Sequence, residues 1–258
     1  MAKVDSENYG ELVKFFGQTK DTYVFNDETS VNGISILISV MKDMGLNPNV
    51  TEDLKKGFMH LFNIELINMP DLNRGRYIFT PNHVSDVDAP ILGLLHRKMR
   101  IVSKNDWTNN EKLKGFLRLH YDLRGLDRTS LQSLRDLLTS SIAYFNDNKD
   151  DNRHFLVFSQ GTISDFNNNS LERISTIAQK ISEKTNVPIV NIFAEQVSLS
   201  YPTRIVFDEP MFLSKKDDFR KIWLEREKFL QDSLQPPARR PNLTTKHQNN
   251  NKPGDLYF

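Results

Sequence analysis

Tyr77–Lys104 reads YIFTPNHVSDVDAPILGLLHRKMRIVSK. Tyr77–Thr80 has the character of a strand, and the polar run that follows it is a turn. Ala89–His96 reads as a helix, with Pro90 in its first turn, where a missing N–H costs little. Met99–Ser103 is a second strand. Working outward, Ile64–Ile67 is a strand joined to Tyr77 by the turn-rich segment Asn68–Arg76. Downstream come a helix over Asn109–Leu119, a strand over Tyr121–Leu126 and a helix over Ser130–Phe145. The helix carries Leu131, Leu134, Leu138, Ile142 and Phe145 on one side, with Thr129 or Ser130 to cap it. His154–Phe158, Val187–Phe193 and Arg204–Phe207 are further strands. Leu171–Lys184 is a helix behind the loop Asn167–Ser170, its buried face Leu171, Ile174, Ile177, Ala178 and Ile181. Asp217–Leu234 is a last amphipathic helix with Phe219, Ile222, Trp223, Phe229 and Leu230. Strands alternating with helices predict an α/β fold, a mixed, largely parallel sheet covered by helices.

Ahead of this domain (63–234), residues 1–62 read as an N-terminal helical extension. Gly10–Phe16 is a short amphipathic stretch. Val31–Met44 places Ile34, Leu37, Ile38 and Met41 at helical spacing before Gly45 and Pro48, and Leu54–Phe62 adds a further helix. These helices could pack on the main core or lay an apolar face on a membrane. Residues 235–258 hold four prolines, several Asn and few apolar residues, the composition of a disordered or loosely docked tail. No internal repeat is found.

The 258 residues are 38% hydrophobic and 26% charged, with a net charge of +1, a globular composition with no global attraction for nucleic acid. The absence of cysteine excludes disulfides, thiolate metal sites and a Cys nucleophile. The N-terminus lacks the apolar core of a signal peptide. The longest apolar run, Ile34–Val40, is far short of the roughly 20 residues that span a bilayer. A soluble or peripheral protein is expected.

Four segments carry chemistry. Asn82-His83-Val84-Ser85-Asp86-Val87-Asp88 lies between a strand and a helix, where α/β proteins often place active-site residues. His83 and Asp88 are five apart and would not share a face of a regular helix, but a strand-to-helix turn can bring them together. Asp88 could then fix the imidazole tautomer and leave the other nitrogen as a base. Such a pair also arises by chance, and Asp86 or Asp88 could be a helix N-cap. The second segment, Arg124-Gly125-Leu126-Asp127-Arg128, ends a stretch, 91–128, with nine Lys/Arg and four Asp/Glu. Arg128 could grip a phosphate with its planar fork, or be a solvated arginine beside Asp127. In the third, Phe158-Ser159-Gln160-Gly161-Thr162-Ile163-Ser164, Gly161 admits a close ligand, and backbone N–H groups with the Thr162 hydroxyl could bind phosphate oxygens. The alternative is an ordinary strand exit. The fourth, Val187-Pro188-Ile189-Val190-Asn191, is an apolar strand entry.

Taken in order, the four resemble the glycerolipid acyltransferase family, which includes lysophosphatidic acid and glycerol-3-phosphate acyltransferases. Asn82-His83 through Asp88 matches its NHx4D block in full. Asp127-Arg128 matches the end of its Gly-x-x-Phe-Ile-Asp-Arg block, and Phe158, Gly161 and Thr162 match Phe-Pro-Glu-Gly-Thr. Val187-Pro188-Ile189-Val190 matches its proline block; Lys104 and Asp208-Glu209-Pro210 are also similar. The likeness covers roughly residues 64–234. Asp122 and Gly125 depart from the second block. In the third, Ser159 replaces Pro, Gln160 replaces Glu, and Ile163 stands where Arg is common. Gln keeps the size and hydrogen-bonding capacity of Glu but loses its charge, which bears on the acceptor more than on the chemistry.

The resemblance implies an acyltransferase with His83 and Asp88 as catalytic residues, and Asn82, Lys104, Arg128, Gln160, Gly161 and Thr162 as substrate-binding residues. It implies acyl-CoA or acyl-carrier protein as donor, lysophosphatidic acid as acceptor, and neither metal nor cofactor. Glycerol-3-phosphate or another lysolipid is the alternative acceptor. The implied place is the cytoplasmic, inner face of a membrane, with the basic stretch 91–128 and the N-terminal helices as docking elements. A catalytically silent lipid or acyl-CoA binding protein is the rival on the same fold. A metal hydrolase is disfavoured by six scattered histidines without a His-x-x-x-His cluster. A nucleic-acid partner is disfavoured by a basic stretch without interleaved aromatics.

Overall fold

The computed structural model describes residues 27–83, 88–104, 108, 118–127, 129–147, 152–160, 174–195 and 202–234, with backbone alone at 27–34 and 104. The expected helix at Asn109–Leu119, the loop Asn167–Ser170, the stretch Gly10–Phe16 and the tail 235–258 therefore lie wholly or mostly outside the described residues. The described chain divides into two compact units, one of residues 27–64 with 202–203, the other of residues 65–195 with 204–234.

In the first unit, helix α1 (Asp27–Asp43) is followed by α2 (Thr51–Leu61). Gly45, at φ 76°, ends the α1 turn in the left-handed region that glycine enters without strain. A side chain at Gly57 would strike Met41, so the small residue lets α2 lie close against α1. Phe58 and Phe62 pack with ring centroids 5.9 Å apart.

The second unit holds the sheet, apart from Ile64 and Thr203 at the starts of two strands. Its strands are β1 (Ile64–Ile67), β2 (Tyr77–Pro81), β3 (Met99–Lys104), β4 (Asp122–Leu126), β5 (His154–Leu156), β6 (Ile189–Ala194) and β7 (Thr203–Phe207). Their order across the sheet is β1-β7-β6-β2-β5-β3-β4. The pairs β2/β5, β2/β6, β3/β5 and β3/β4 are parallel, and β6/β7 is antiparallel. This is the mixed, mostly parallel α/β sheet that the strand–helix alternation predicts. β5 and β6 are buried along their whole length, as strands covered on both faces must be.

Among the described residues, four whole helices lie in this unit: α3 (Asp88–Gly93), α4 (Leu131–Asn146), α5 (Ile177–Thr185) and α6 (Phe219–Asp232). Ile78, Phe155, Val157 and Ile189 from the sheet form one cluster with Leu137 and Phe145 of α4, Ala178 and Ile181 of α5, and Phe219 and Trp223 of α6. α3 contacts β3, and a methyl group at Gly93 would run into Ile101 Cδ1 and the Tyr121 ring. Glycine is what lets this short helix sit so close to the sheet.

Three expectations are corrected. α4 buries Leu137, Ser141 and Phe145, while Leu131 is 73% exposed: the inward stripe runs at i, i+4, i+8, rotated from the one read off the leucines. α5 begins at Ile177, and over the described residues before it the Ser175 N–H is tied to the Ser159 carbonyl at 2.8 Å instead of continuing a helix; the expected start at Leu171 lies outside the described residues. On α6 the buried positions are Phe219, Trp223, Glu227 and Leu230. Phe229 points outward at 57% exposure, its ring under the Arg226 guanidinium.

Candidate active site

β2 runs parallel to β5 on one side and β6 on the other, so its carboxyl end opens between two neighbouring strand exits, a usual place for an α/β site. Pro81 closes β2 in register with Ile192, and the next N–H, of Asn82, still reaches the Ile192 carbonyl at 3.1 Å. There the side chain takes over from the backbone. The Asn82 carboxamide donates from Nδ2 to the Ala194 carbonyl at 2.8 Å and accepts from the Ala194 N–H on Oδ1 at 2.6 Å. Asn82 is 1% exposed. Its amide imitates one more rung of the ladder, and the main chain is released to turn out of the sheet.

His83 is the next residue. Its backbone N–H donates to Gln160 Oε1 at 2.7 Å, and Gln160 lies just beyond β5 in the chain. The imidazole packs against the Phe158 ring, centroids 4.2 Å apart. Nδ1 faces Asp88 Oδ2 at 3.4 Å, with the carboxylate side chain 1% and the imidazole 19% exposed. That separation exceeds a tight N–H···O bond. A tautomer with Nδ1–H toward the carboxylate would leave the lone pair on Nε2, an arrangement able to serve as a base with an orienting acid. Asp88 opens α3 while His83 follows β2, so two residues five apart that no single helix could bring together face one another here.

A family model described as Acyltransferase matches residues 63–195. The chain belongs to this family. Among solved structures, this acyltransferase is similar to the crystal structure of the 1-acyl-sn-glycerophosphate (LPA) acyltransferase, PlsC, from Thermotoga maritima, with a TM-score of 0.50 and 15% identity over 88% of this chain and 90% of that one. At that identity the likeness speaks for the fold. No curated protein matches the acyltransferase by sequence.

The other expected site residues divide. Lys104 ends β3 opposite Leu126, at the same carboxyl edge, but its side chain lies outside the described residues, as do Arg128, Gly161 and Thr162 in full. Asn82 and Gln160, expected to touch substrate, hydrogen-bond protein backbone through their carboxamides, at Ala194 and His83. Ser159, at the position of the family proline, has a fully buried hydroxyl without a hydrogen-bond partner among the described residues.

Sequence reasoning passed over two supports. Phe158 was legible as a block residue but not as the ring against His83. Thr80 and Asn191 face one another in register, and the Thr80 hydroxyl donates to Asn191 Oδ1 at 2.5 Å while the Thr80 carbonyl accepts from Trp223 Nε1 at 3.1 Å. A lone polar residue inside an otherwise apolar strand, as Thr80 and Asn191 both are, is the signal that could have paired them. Among the described residues no group of three His, Asp or Glu side chains is placed to hold a metal ion, and no helix is long and apolar enough to cross a membrane.

Proposed function

We propose that this acyltransferase moves a fatty acyl group from an acyl thioester, acyl-CoA or acyl-carrier protein, to the free hydroxyl of lysophosphatidate. The observation that carries the reading is His83 held by the buried Asp88 at the carboxyl edge of the parallel sheet, in a chain of the Acyltransferase family. His83 Nε2 takes the acceptor hydroxyl proton as the oxygen attacks the thioester carbonyl. The tetrahedral intermediate collapses with cleavage of the C–S bond, and the departing sulfur takes the proton back from the imidazolium. An ester and a free thiol result, and the imidazole is regenerated. Asp88 orients the ring and stabilises its charged form in between. Arg128, Gly161, Thr162 and Lys104 hold the acceptor phosphate, a role supported by their order in the family blocks and by the ends of β3, β4 and β5 meeting at this edge. The acceptor is chosen by analogy with the activity named for the Thermotoga maritima protein, and the reaction needs neither metal nor cofactor. It takes place at the cytoplasmic face of a membrane, where product can leave into lipid.

The deciding assay uses purified protein, lysophosphatidate and acyl-CoA. His83→Ala should abolish thiol release and phosphatidate formation together; undiminished turnover would refute the base. Running glycerol-3-phosphate in parallel distinguishes the two acceptors.

A further inference from the structure

We propose that Asn82 and Gln160 are a pair of positioning residues that clamp the base-bearing residue to both strands flanking β2, and that neither carboxamide is a ligand for the acceptor. The proposal rests on the reading of His83 as the base. Its grounds are geometric. On one side the Asn82 amide makes two hydrogen bonds to a single residue, Ala194, at the end of β6. On the other, Gln160, just past β5, accepts the backbone N–H of His83 itself. β2 is the strand between them. Both side chains are buried, so water does not compete for their hydrogen bonds. His83 follows the last residue fixed by the sheet, and its own N–H is the first that the ladder does not take. A free N–H there would let the φ/ψ of His83 drift and carry Nδ1 away from Asp88. Catalysis by an oriented base is sensitive to displacements of about 1 Å.

The same geometry explains why Gln serves where the family has Glu. The clamp needs an acceptor oxygen for one N–H, and an amide and a carboxylate both supply it. No charge is required for that task, so the departure at 160 leaves the support of the base intact.

The test compares Gln160→Met, Gln160→Glu, Asn82→Ala and His83→Ala in the full chain, each checked for a cooperative thermal transition, with lysophosphatidate and acyl-CoA as substrates. Amide hydrogen exchange at His83 is read without substrate. Gln160→Met should lower kcat about ten- to a hundredfold with KM for lysophosphatidate within about twofold, and should speed exchange at the His83 amide at least about tenfold. Gln160→Glu should recover most of the lost kcat and the exchange protection. Asn82→Ala should show the same split, and if it does not fold, Gln160→Met decides alone. A rise in KM with kcat unchanged would make Gln160 a substrate ligand and overturn the proposal. So would unaltered kinetics in Gln160→Met beside a dead His83→Ala, which leaves the base in place and removes the clamp. Unchanged exchange at His83 overturns it whatever the kinetics. Full activity in His83→Ala strikes the base reading instead, and the exchange experiment still judges the clamp.

Discussion

His83 is surrounded by restraints of different kinds: a carboxylate at Nδ1, an aromatic ring against the imidazole and a carboxamide on its backbone N–H. Removing the carboxylate's charge while keeping its shape isolates one of them. Asp88→Asn should lower kcat by about 10²- to 10⁴-fold with KM little changed, because the amide can present its N–H to Nδ1 and favour the wrong tautomer. Steady-state kinetics on both substrates checks this. The pair was legible in the sequence because its members are five residues apart and stand in one block. The clamp was not, because Gln160 and Ala194 lie 77 and 112 residues from their partners, and a side chain bonded to backbone leaves no mark in the pattern of residue types.

Elements hold the site through their ends. Ser130 caps α4 by accepting from the Ser133 N–H at 3.1 Å, and Ser130→Ala should cost about 1 kcal/mol in urea unfolding without changing the slope of the transition. α6 reaches the strand below the site through the Trp223 indole, which donates to the Thr80 carbonyl. Trp223→Phe keeps most of the apolar contact and removes one hydrogen bond to that carbonyl, so a loss of about 0.5–1.5 kcal/mol is expected by the same measurement. Arg226 of α6 forks onto Asp208 with both oxygens engaged, which gives a structural part to the Asp208-Glu209-Pro210 segment. Strand positions followed from composition nearly residue for residue, since short apolar runs between polar turns leave little choice. Helix faces did not. Leucines at 131, 134 and 138 define an apolar stripe as well as Leu137, Ser141 and Phe145 do, and packing against β4 and α5, not periodicity, selects which one turns inward.

At the scale of the whole molecule, two buried titrating groups bear on stability in opposite senses. Burial pushes Glu227 up to about 8, so the folded chain keeps a proton that the unfolded chain gives up in the ordinary carboxyl range. Stability therefore falls as pH rises through that window and is level again above it. Burial pushes His154 down to about 4, against a weaker opposing pull from the Leu72 carbonyl. Here the unfolded chain holds the extra proton, and stability rises with pH between about 4 and the ordinary imidazole range. The two slopes oppose each other in mild acid, and between neutrality and pH 8 the Glu227 slope is the one left of the pair. The urea midpoint should drop across that interval. Glu227→Gln should abolish the drop and raise stability at pH 8 by roughly 2–4 kcal/mol.

The tie between Asn82 and Ala194 also has a meaning in time. A ribosome delivers the histidine and its carboxylate within a second of each other, at about 5–20 residues per second. The strand that pins them emerges on the order of ten seconds later. Until then the nascent chain carries both reactive groups without the geometry to use them, and activity in a synthesising lysate should lag the appearance of residue 88 by that interval.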